Sequence, residues 1–432
     1  MEASFLSMCF CLAIIFHQAS AISEEASVPN VLSLGRKEKL DFSGIVHRDR
    51  KFSRTPPLGW NSWNHFQCNV NEHIVKAAAD KLVSSGLAAL GYVYVNIDDC
   101  WQADSRDSEG RLAPSPHFFP SGIKAIADYV HSKGLKLGIY SDSGRLTCEG
   151  KPGSLGHEAI DALTFAEWEV DYLKYDNCFN DGTPNKIRYT TMRNALEATG
   201  RDIFFSMCEW GQDDPSLWAY DVADSWRTTV DIGDSWRSMM RIADKNNKWA
   251  KYARPGGWNG ECHWKAQPGH AADGERILSH SSYPNSAVAL PHPPPLTDPD
   301  MLQVGNGGMR DSEYRVHFSL WAIMKAPLLI GCDLSVVSNK TLAILGNEEV
   351  IALNQDPLGV QARKVQVSED SFMEVWSGPL SEGRLVVALV NRSPISLKIT
   401  ARWKAMGLNP VQRMYARDLW KVRGLIKGVA FG

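Results

Sequence analysis

The chain has 432 residues, and its 46 Lys+Arg against 49 Asp+Glu give a formal net charge of −3, so it carries no basic footprint for nucleic acid. Neither Cys-x-x-Cys nor His-Glu-x-x-His occurs, which leaves a zinc site without support. No apolar run is long enough to cross a membrane.

In chain order, Phe5 to Phe16 is an apolar run of signal-peptide length, and Ala19-Ser20-Ala21 supplies a small-x-small cleavage site, although Glu2 stands where a positive charge is usual. Residues 1–21 therefore read as a signal peptide. That predicts the secretory pathway, with the cell exterior, cell wall or vacuole as destination, and no membrane attachment after cleavage. Residues 22–53 are polar and mixed in charge, and read as a processed or flexible leader.

From there, strand-like runs that end on polar residues alternate with segments of helical spacing. Gly59-Trp60-Asn61 is the first such strand end, then Gly91 to Asp99, Leu135 to Asp142, Tyr172 to Cys178, Phe204 to Trp210, Asp224 to Asp231, Gly257-Trp258-Asn259 and Leu328 to Asp333. Helical periods lie between them at Ile74 to Leu87, Ile123 to His131, Ala159 to Val170, Asn185 to Leu196 and Tyr314 to Met324. The alternation predicts an α/β fold, a (β/α)8 TIM barrel over residues 54–357, with polar strand ends gathered at the C-terminal face where such barrels keep their chemistry. A doubly wound open sheet competes, but no Gly-x-Gly-x-x-Gly follows the first strand.

The run Tyr172 to Cys178 is the most pointed of these. Alternate side chains on a strand share a face, so Tyr172, Lys174 and Asp176 point one way and Leu173 and Tyr175 the other. Lysine and aspartate on a buried face must pair or bind something polar. Either they line a site, or they are a structural ion pair inside the barrel. The adjacent Asp98 and Asp99 have a comparable plain reading as a polar loop. So has Trp63, as core packing in a chain with 15 tryptophans.

Residues 260–297 break the pattern. They hold four of the chain's 12 histidines (His263, His270, His280 and His292) and the breaker Pro291-His-Pro-Pro-Pro295, with no apolar period. A disordered insert resembling translated non-coding sequence is expected there, ahead of a histidine-rich metal loop.

Leu58-Gly-Trp-Asn-Ser-Trp63, Asn96 to Trp101, Arg106 to Arg111, Lys133 to Tyr140, Tyr172 to Cys178, Cys208-Glu-Trp-Gly211 and Pro255-Gly-Gly-Trp258 together resemble the α-galactosidases of glycoside hydrolase family 27, the plant branch closest. The likeness runs from about Arg54 to about Lys421 and is broken once, by the insert. It implies a catalytic barrel followed by a small antiparallel β-sandwich, residues 358–432 here and truncated, in a monomer or homodimer with no cofactor. It implies a galactose-containing carbohydrate as substrate, from which terminal α-linked galactose is removed with retention. By the same resemblance Asp176 is the nucleophile and Asp231 the acid/base. Asp98 and Asp99 grip the 4- and 6-hydroxyls and Trp63 stacks on the ring. Tyr140, Lys174, Cys208, Trp210, Arg227, Asp300 and Met301 complete the pocket.

Lys174 should favour an ionised Asp176, and a neighbouring carboxylate should raise the pKa of Asp231. In some family members the carboxylate equivalent to Glu209 touches the 2-hydroxyl, but the Cys208-Glu-Trp-Gly211 form suggests that Cys208 and Trp210 do so here, and a Glu-Trp pair argues against room for an acetamido group. The family pattern also pairs Cys68 with Cys100 and Cys148 with Cys178, and leaves Cys332 a buried thiol and Cys262 without a counterpart. Asn339 and Asn391 are candidate glycosylation acceptors. A β-L-arabinopyranosidase is the alternative within the family. A variant inactivated by its insert and its altered end, where Val422 to Gly432 replace the final strands and leave a sandwich edge unpaired, is the alternative outside it.

Overall fold

Strands linked through helices return parallel to one another, so the alternation above dictates a parallel sheet. The computed structural model describes residues 2–7, 12–18, 55–250, 258–259, 300–409, 414–421 and 425–429. Its strands begin with β1 (Glu2–Ser7) and β2 (Leu12–Gln18). The barrel strands are β3 (Leu58–Asn61), β4 (Tyr92–Asn96), β5 (Lys136–Asp142), β6 (Tyr172–Asp176), β7 (Phe204–Met207), β8 (Ser225–Trp226), β9 (Trp258–Asn259) and β10 (Leu328–Ile330). Strands β11 (Arg363–Val367), β12 (Met373–Pro379), β13 (Leu385–Asn391), β14 (Leu397–Arg402), β15 (Met414–Asp418) and β16 (Leu425–Val429) follow. The helices are α1 (Trp63–Phe66), α2 (Glu72–Ser84), α3 (Ile123–Ser132), α4 (Glu158–Glu167), α5 (Asn185–Ala198), α6 (Trp236–Asn246), α7 (Asp311–Ile323), α8 (Asn339–Leu345) and α9 (Glu348–Asn354).

Strands β3 to β10 form one eight-stranded parallel sheet in the order β10-β3-β4-β5-β6-β7-β8-β9, the expected TIM barrel. Asn259 of β9 pairs with Trp226 of β8, while Leu302 bridges Ile330 of β10. The seventh strand position is thus shared by two stretches of chain. The insert expected at residues 260–297 falls between them, outside the described residues.

Element ends differ from the periodicity for local reasons. Helix α2 starts before Ile74 because the Asn71 side chain accepts from the Ile74 amide, and it is followed by Gly86 at φ +83°. Its buried face, Val75, Ala78, Ala79 and Leu82, keeps the helical spacing. The run from Phe204 leaves the sheet at Met207, ahead of the left-handed Trp210 (φ +55°). The run from Asp224 pairs only at Ser225–Trp226, after which the chain turns into the pocket.

Strands β11-β12-β13-β2-β15-β16 form a six-stranded antiparallel sheet, and β1 pairs with β14. Ile399 and Ala401 of β14 pack against Val375, Val387 and Leu389 of β12 and β13, which makes the two layers of a sandwich. Among the described residues, β15 is flanked by β2 and by β16, and β16 ends the sheet on the C-terminal side. Strand β2 lies within the run read as a signal peptide. A short continuous apolar stretch also suits a strand buried between two neighbours, so the two readings share one physical basis.

Asp244 on α6 ties the barrel to this domain. It accepts from Arg392 Nη1 at 2.9 Å and pairs with Lys364, and both cations also reach Glu374 at 2.7 Å. Of the two candidate glycosylation acceptors, Asn339 is exposed at the start of α8. Asn391 is 3% exposed and its amide donates to Ile395 O at 2.7 Å, so that acceptor is not presented.

Candidate active site

The inward face of β6 stacks three functional layers. Tyr172 lies lowest, its ring parallel to Phe204 with centroids 4.9 Å apart and edge-on to Tyr94 at 5.4 Å. Lys174 is next. Its ammonium meets Asp98 Oδ2 at 2.5 Å and stands 5.2 Å from the Tyr140 ring centre. Asp176 ends the strand at the C-terminal mouth. Its Oδ2 accepts from the Tyr140 hydroxyl at 2.9 Å, its Oδ1 from the Asn177 amide at 2.9 Å, and its carbonyl from the Tyr189 hydroxyl at 3.1 Å. Leu173 and Tyr175 face outward into the barrel–helix core, as alternation requires.

Asp98 and Asp99 follow β4, each 1% exposed. Besides Lys174, Asp98 accepts from Asn61 Nδ2 at 2.7 Å, and the Ser62 hydroxyl accepts from its amide at 3.0 Å. Asp99 accepts from the Cys100 and Glu149 amides at 2.7 and 3.0 Å. Gly138 on β5 keeps this corner open, since a Cβ there would fall 2.0 Å from Asn96 Oδ1. Across the mouth, the fully buried Arg227 donates to Thr229 O at 2.9 Å and to Asp231 Oδ1 at 3.0 Å, with Asp300 Oδ1 at 3.6 Å from its other terminal nitrogen. Asp300 in turn accepts from the Ile232 and Met301 amides at 2.9 and 2.7 Å. Trp63 and Met301 are buried in one cluster with Tyr94, Tyr172 and Phe204. Cys208 is buried at the end of β7, its amide donating to Tyr175 O at 2.9 Å, and Trp210 is half-buried beyond it.

Burial outweighs Lys174 at Asp176, although Lys174 lowers that carboxyl, the direction expected. Lys174 pairs with Asp98 rather than with Asp176. Burial dominates at Asp176 and pushes its carboxyl up to about 8, against the pull of Lys174, Tyr140 and the Asn177 amide and with an added push from nearby Asp231. Burial also raises Asp99 to about 7, against its backbone donors. It lifts Asp142 and Glu209 well above the usual carboxylate range. Lys174 itself stays above its ordinary value, since Asp98 and Asp176 outweigh the effect of burial.

A stability profile follows from these directions. A carboxyl raised on folding holds its proton longer in the native state, so its contribution is full at low pH and is lost as pH rises through the folded value. His317 acts in the opposite sense, because burial lowers it from 6.5 to about 3, but that contribution is complete above 6.5. Between about pH 6.5 and 8, Tm is therefore expected to fall, with Asp99→Asn flattening the slope. Thermal denaturation across this interval checks it; a level or rising profile contradicts it.

Both expected disulfides are formed, Cys68–Cys100 and Cys148–Cys178, and Cys332 is a buried thiol pushed up to about 12 by that burial. Among the described residues, Asp142, Cys148 and Cys178 lie close enough to suggest a metal, but the two sulfurs are joined to each other. Several contributors had no role assigned from sequence: Asn61 and Ser62 on Asp98, Tyr189 on Asp176, and Asp142. Asp142 sits opposite Asp176 in the β5–β6 register, and its oxygens accept from the Gly144 and Cys178 amides at 2.7 and 3.0 Å. As the carboxylate ending the run from Leu135, it carried the same signal as Asp176.

Comparison with known proteins agrees with this arrangement. The profile described as "Alpha galactosidase A" matches residues 55–264 and 276–356, and that of the "Alpha galactosidase C-terminal beta sandwich domain" matches 370–429. "Alpha-galactosidase 2" of Arabidopsis thaliana is 55% identical over 381 residues, 88% of this chain and 86% of that protein. The crystal structure of α-galactosidase I from Mortierella vinacea superposes with a TM-score of 0.75 at 38% identity, covering 86% of this chain and 92% of the other. A family 27 β-L-arabinopyranosidase from Geobacillus stearothermophilus is more distant, with 26% identity and a TM-score of 0.67 over 85% of this chain and 90% of the other.

Proposed function

The chain belongs to the α-galactosidases of glycoside hydrolase family 27 and hydrolyses terminal α-galactosyl residues; from its geometry we propose that Asp176 is the nucleophile and Asp231 the acid/base. One observation carries the assignment. Asp176 stands at the mouth with both oxygens oriented by Tyr140 and Asn177, and Asp231, held by Arg227, is near enough to affect its ionisation.

In the first step a carboxylate oxygen of Asp176 attacks C1 of galactose, the bond from C1 to the leaving oxygen breaks, and Asp231 gives that oxygen its proton. In the second, Asp231 takes a proton from water, the water oxygen bonds to C1, and the ester to Asp176 breaks, releasing α-galactose. Positive charge developing on the sugar favours the ionised form of Asp176, which burial alone opposes. Asp98 and Asp99 accept from the 4- and 6-hydroxyls, and Trp63 lies beneath the ring. Cys208, Trp210, Arg227, Asp300 and Met301 close the remaining walls. The identity to plant α-galactosidases favours galactose over L-arabinopyranose.

The disulfides and the apolar N-terminal run support a secretory location, and the similarity to plant α-galactosidases supports oligosaccharide or galactomannan side chains as the source of the galactose. Hydrolysis of p-nitrophenyl α-galactoside followed by NMR should show α-galactose before mutarotation. β-Galactose appearing first would exclude double displacement.

A further inference from the structure

A guanidinium presents five N–H donors in a rigid planar fork, and a buried one leaves each of them in need of an acceptor. Arg188 on α5 is 3% exposed and meets that demand in full. Its Nε donates to Thr183 O at 2.8 Å. Nη1 donates to Ser143 O at 3.1 Å and to the Ser143 hydroxyl, and Nη2 donates to Asn177 Oδ1 at 2.5 Å and to Asn185 Oδ1. Resting on the assignment of Asp176 above, we propose that Arg188 is a positioning residue for the nucleophile, clamping the loops after β5 and β6 so that the Asp176 carboxylate faces C1.

Two of the residues it grips are those whose amides fix Asp176. The Asn177 amide donates to Asp176 Oδ1 at 2.9 Å, and the Ser143 amide donates to Asp176 O at 2.9 Å. Tyr189, the next residue of α5, gives its hydroxyl to the same carbonyl at 3.1 Å. The clamp also reaches a third strand end. Asn177 Nδ2 donates to Gln212 Oε1 at 3.1 Å, on the loop after β7 that carries Cys208 and Trp210. Each link is a direct hydrogen bond, and Asp176 lies one residue from Asn177.

The acceptors named for Arg188 are carbonyls, a hydroxyl and side-chain amides, all neutral, so the contacts supply direction rather than cancel a charge. The backbone they hold is not one the chain adopts unaided: Phe179, two residues past Asn177, has φ +40°, unfavourable for an aromatic residue and retained where the surroundings impose it. The loops leave no slack either, since a Cβ on Gly144 would fall 1.8 Å from Cys178 O. The Cys148–Cys178 bridge joins the same two loops and limits how far they separate. The fork grips Ser143 and Asn177 at once and so sets how their amides face Asp176. A reacting group displaced by about 1 Å loses on the order of a hundredfold in rate, which is the scale of what such a clamp protects.

The test reads kcat on p-nitrophenyl α-galactoside per folded molecule, with the inhibition constant of free galactose as the measure of sugar binding. Arg188→Met is expected to lower kcat about a hundredfold and Asn177→Ala about tenfold. Galactose binding is expected to stay within about threefold, since the sugar is gripped from the ends of β3 and β4. The double variant should fall no further than Arg188→Met, because both substitutions open one path. Arg188→Lys keeps the charge but not the fork, and is expected to regain less than about threefold of the loss. Where Arg188→Met does not fold, Arg188→Lys takes its place in the same cycle. A kcat within about threefold of the parent in a folded Arg188 variant overturns the proposal. So do losses that multiply in the double variant, or a loss seen in galactose binding alone. Asp176→Gly, measured alongside, keeps the two readings apart. Activity retained there removes the nucleophile assignment and this proposal with it, whereas an inactive Asp176→Gly beside fully active Arg188 variants removes the clamp alone.

Discussion

Replacing Asp176 by glycine is expected to lower kcat on aryl α-galactosides by at least about 10⁴-fold, and added azide is expected to restore turnover with β-galactosyl azide as product. The carboxylate is the group that forms the covalent bond, so its removal eliminates the first step rather than weakening it. The space it leaves is framed by Tyr140 and Asn177, whose donors remain aimed at an anion. A small anion there attacks C1 from the face Asp176 used, which fixes the β product. Asp231→Gly should differ in kind. The galactosyl ester still forms from substrates with good leaving groups, and azide then attacks it from the other face to give the α product. Loss of general acid–base help is worth about 10²–10⁴-fold. Interchanged azide anomers would reverse the two roles.

The second large effect lies beneath the nucleophile. Lys174→Met leaves Asp98 buried with its charge uncompensated, because the two side chains are 2% and 1% exposed and the Lys174 ammonium lies on Asp98 Oδ2. Removing one member of such a pair costs about 3–5 kcal/mol, mostly as the penalty on the charge left behind. Asn61 still donates to the same oxygen, which softens the loss without cancelling it. Asp98→Asn in the Lys174→Met background should recover most of the stability, since neither charge remains, while hydrolysis stays abolished. Urea denaturation at pH 7 of the two single variants and the double variant measures this coupling. Single losses that simply add in the double variant would show that the pair acts as two independent groups.

This pair also shows what the sequence could and could not reveal. The alternation in Tyr172 to Asp176 placed lysine and aspartate on one buried face, and the structure bears out that geometry. The identity of the partner was out of reach. Lys174 selects Asp98, 76 residues earlier, because barrel closure brings the ends of β4 and β6 to a common centre, and nothing local encodes that pairing. The same limit applies to the Asn61 amide and the Tyr189 hydroxyl, which donate to distant acceptors. Asp142 was legible as a strand-ending carboxylate, but its place opposite Asp176 depends on the β5–β6 register. The pull of Lys174 on Asp176 was legible from the strand, but the larger opposing effect of complete burial was not, because it depends on the packed surroundings. The antiparallel sandwich was expected from the family resemblance. The use of Leu12–Gln18 as one of its strands was not, because an apolar run of that length satisfies two different environments.

If residues 1–21 are removed as a signal peptide, that strand makes the order of events matter. Cleavage after Ala21 would withdraw β2 from between β13 and β15, and β1 from β14. The six-stranded sheet would part into β11-β12-β13 and β15-β16, facing each other across a slot one strand wide. Both lips of the slot would carry unpaired N–H and C=O groups, a template for any extended segment of matching polarity. The precursor and the processed chain are then two different β-sheets. Were the segment cleaved, its departure would have to be answered by the lips closing on each other or by a strand supplied from elsewhere.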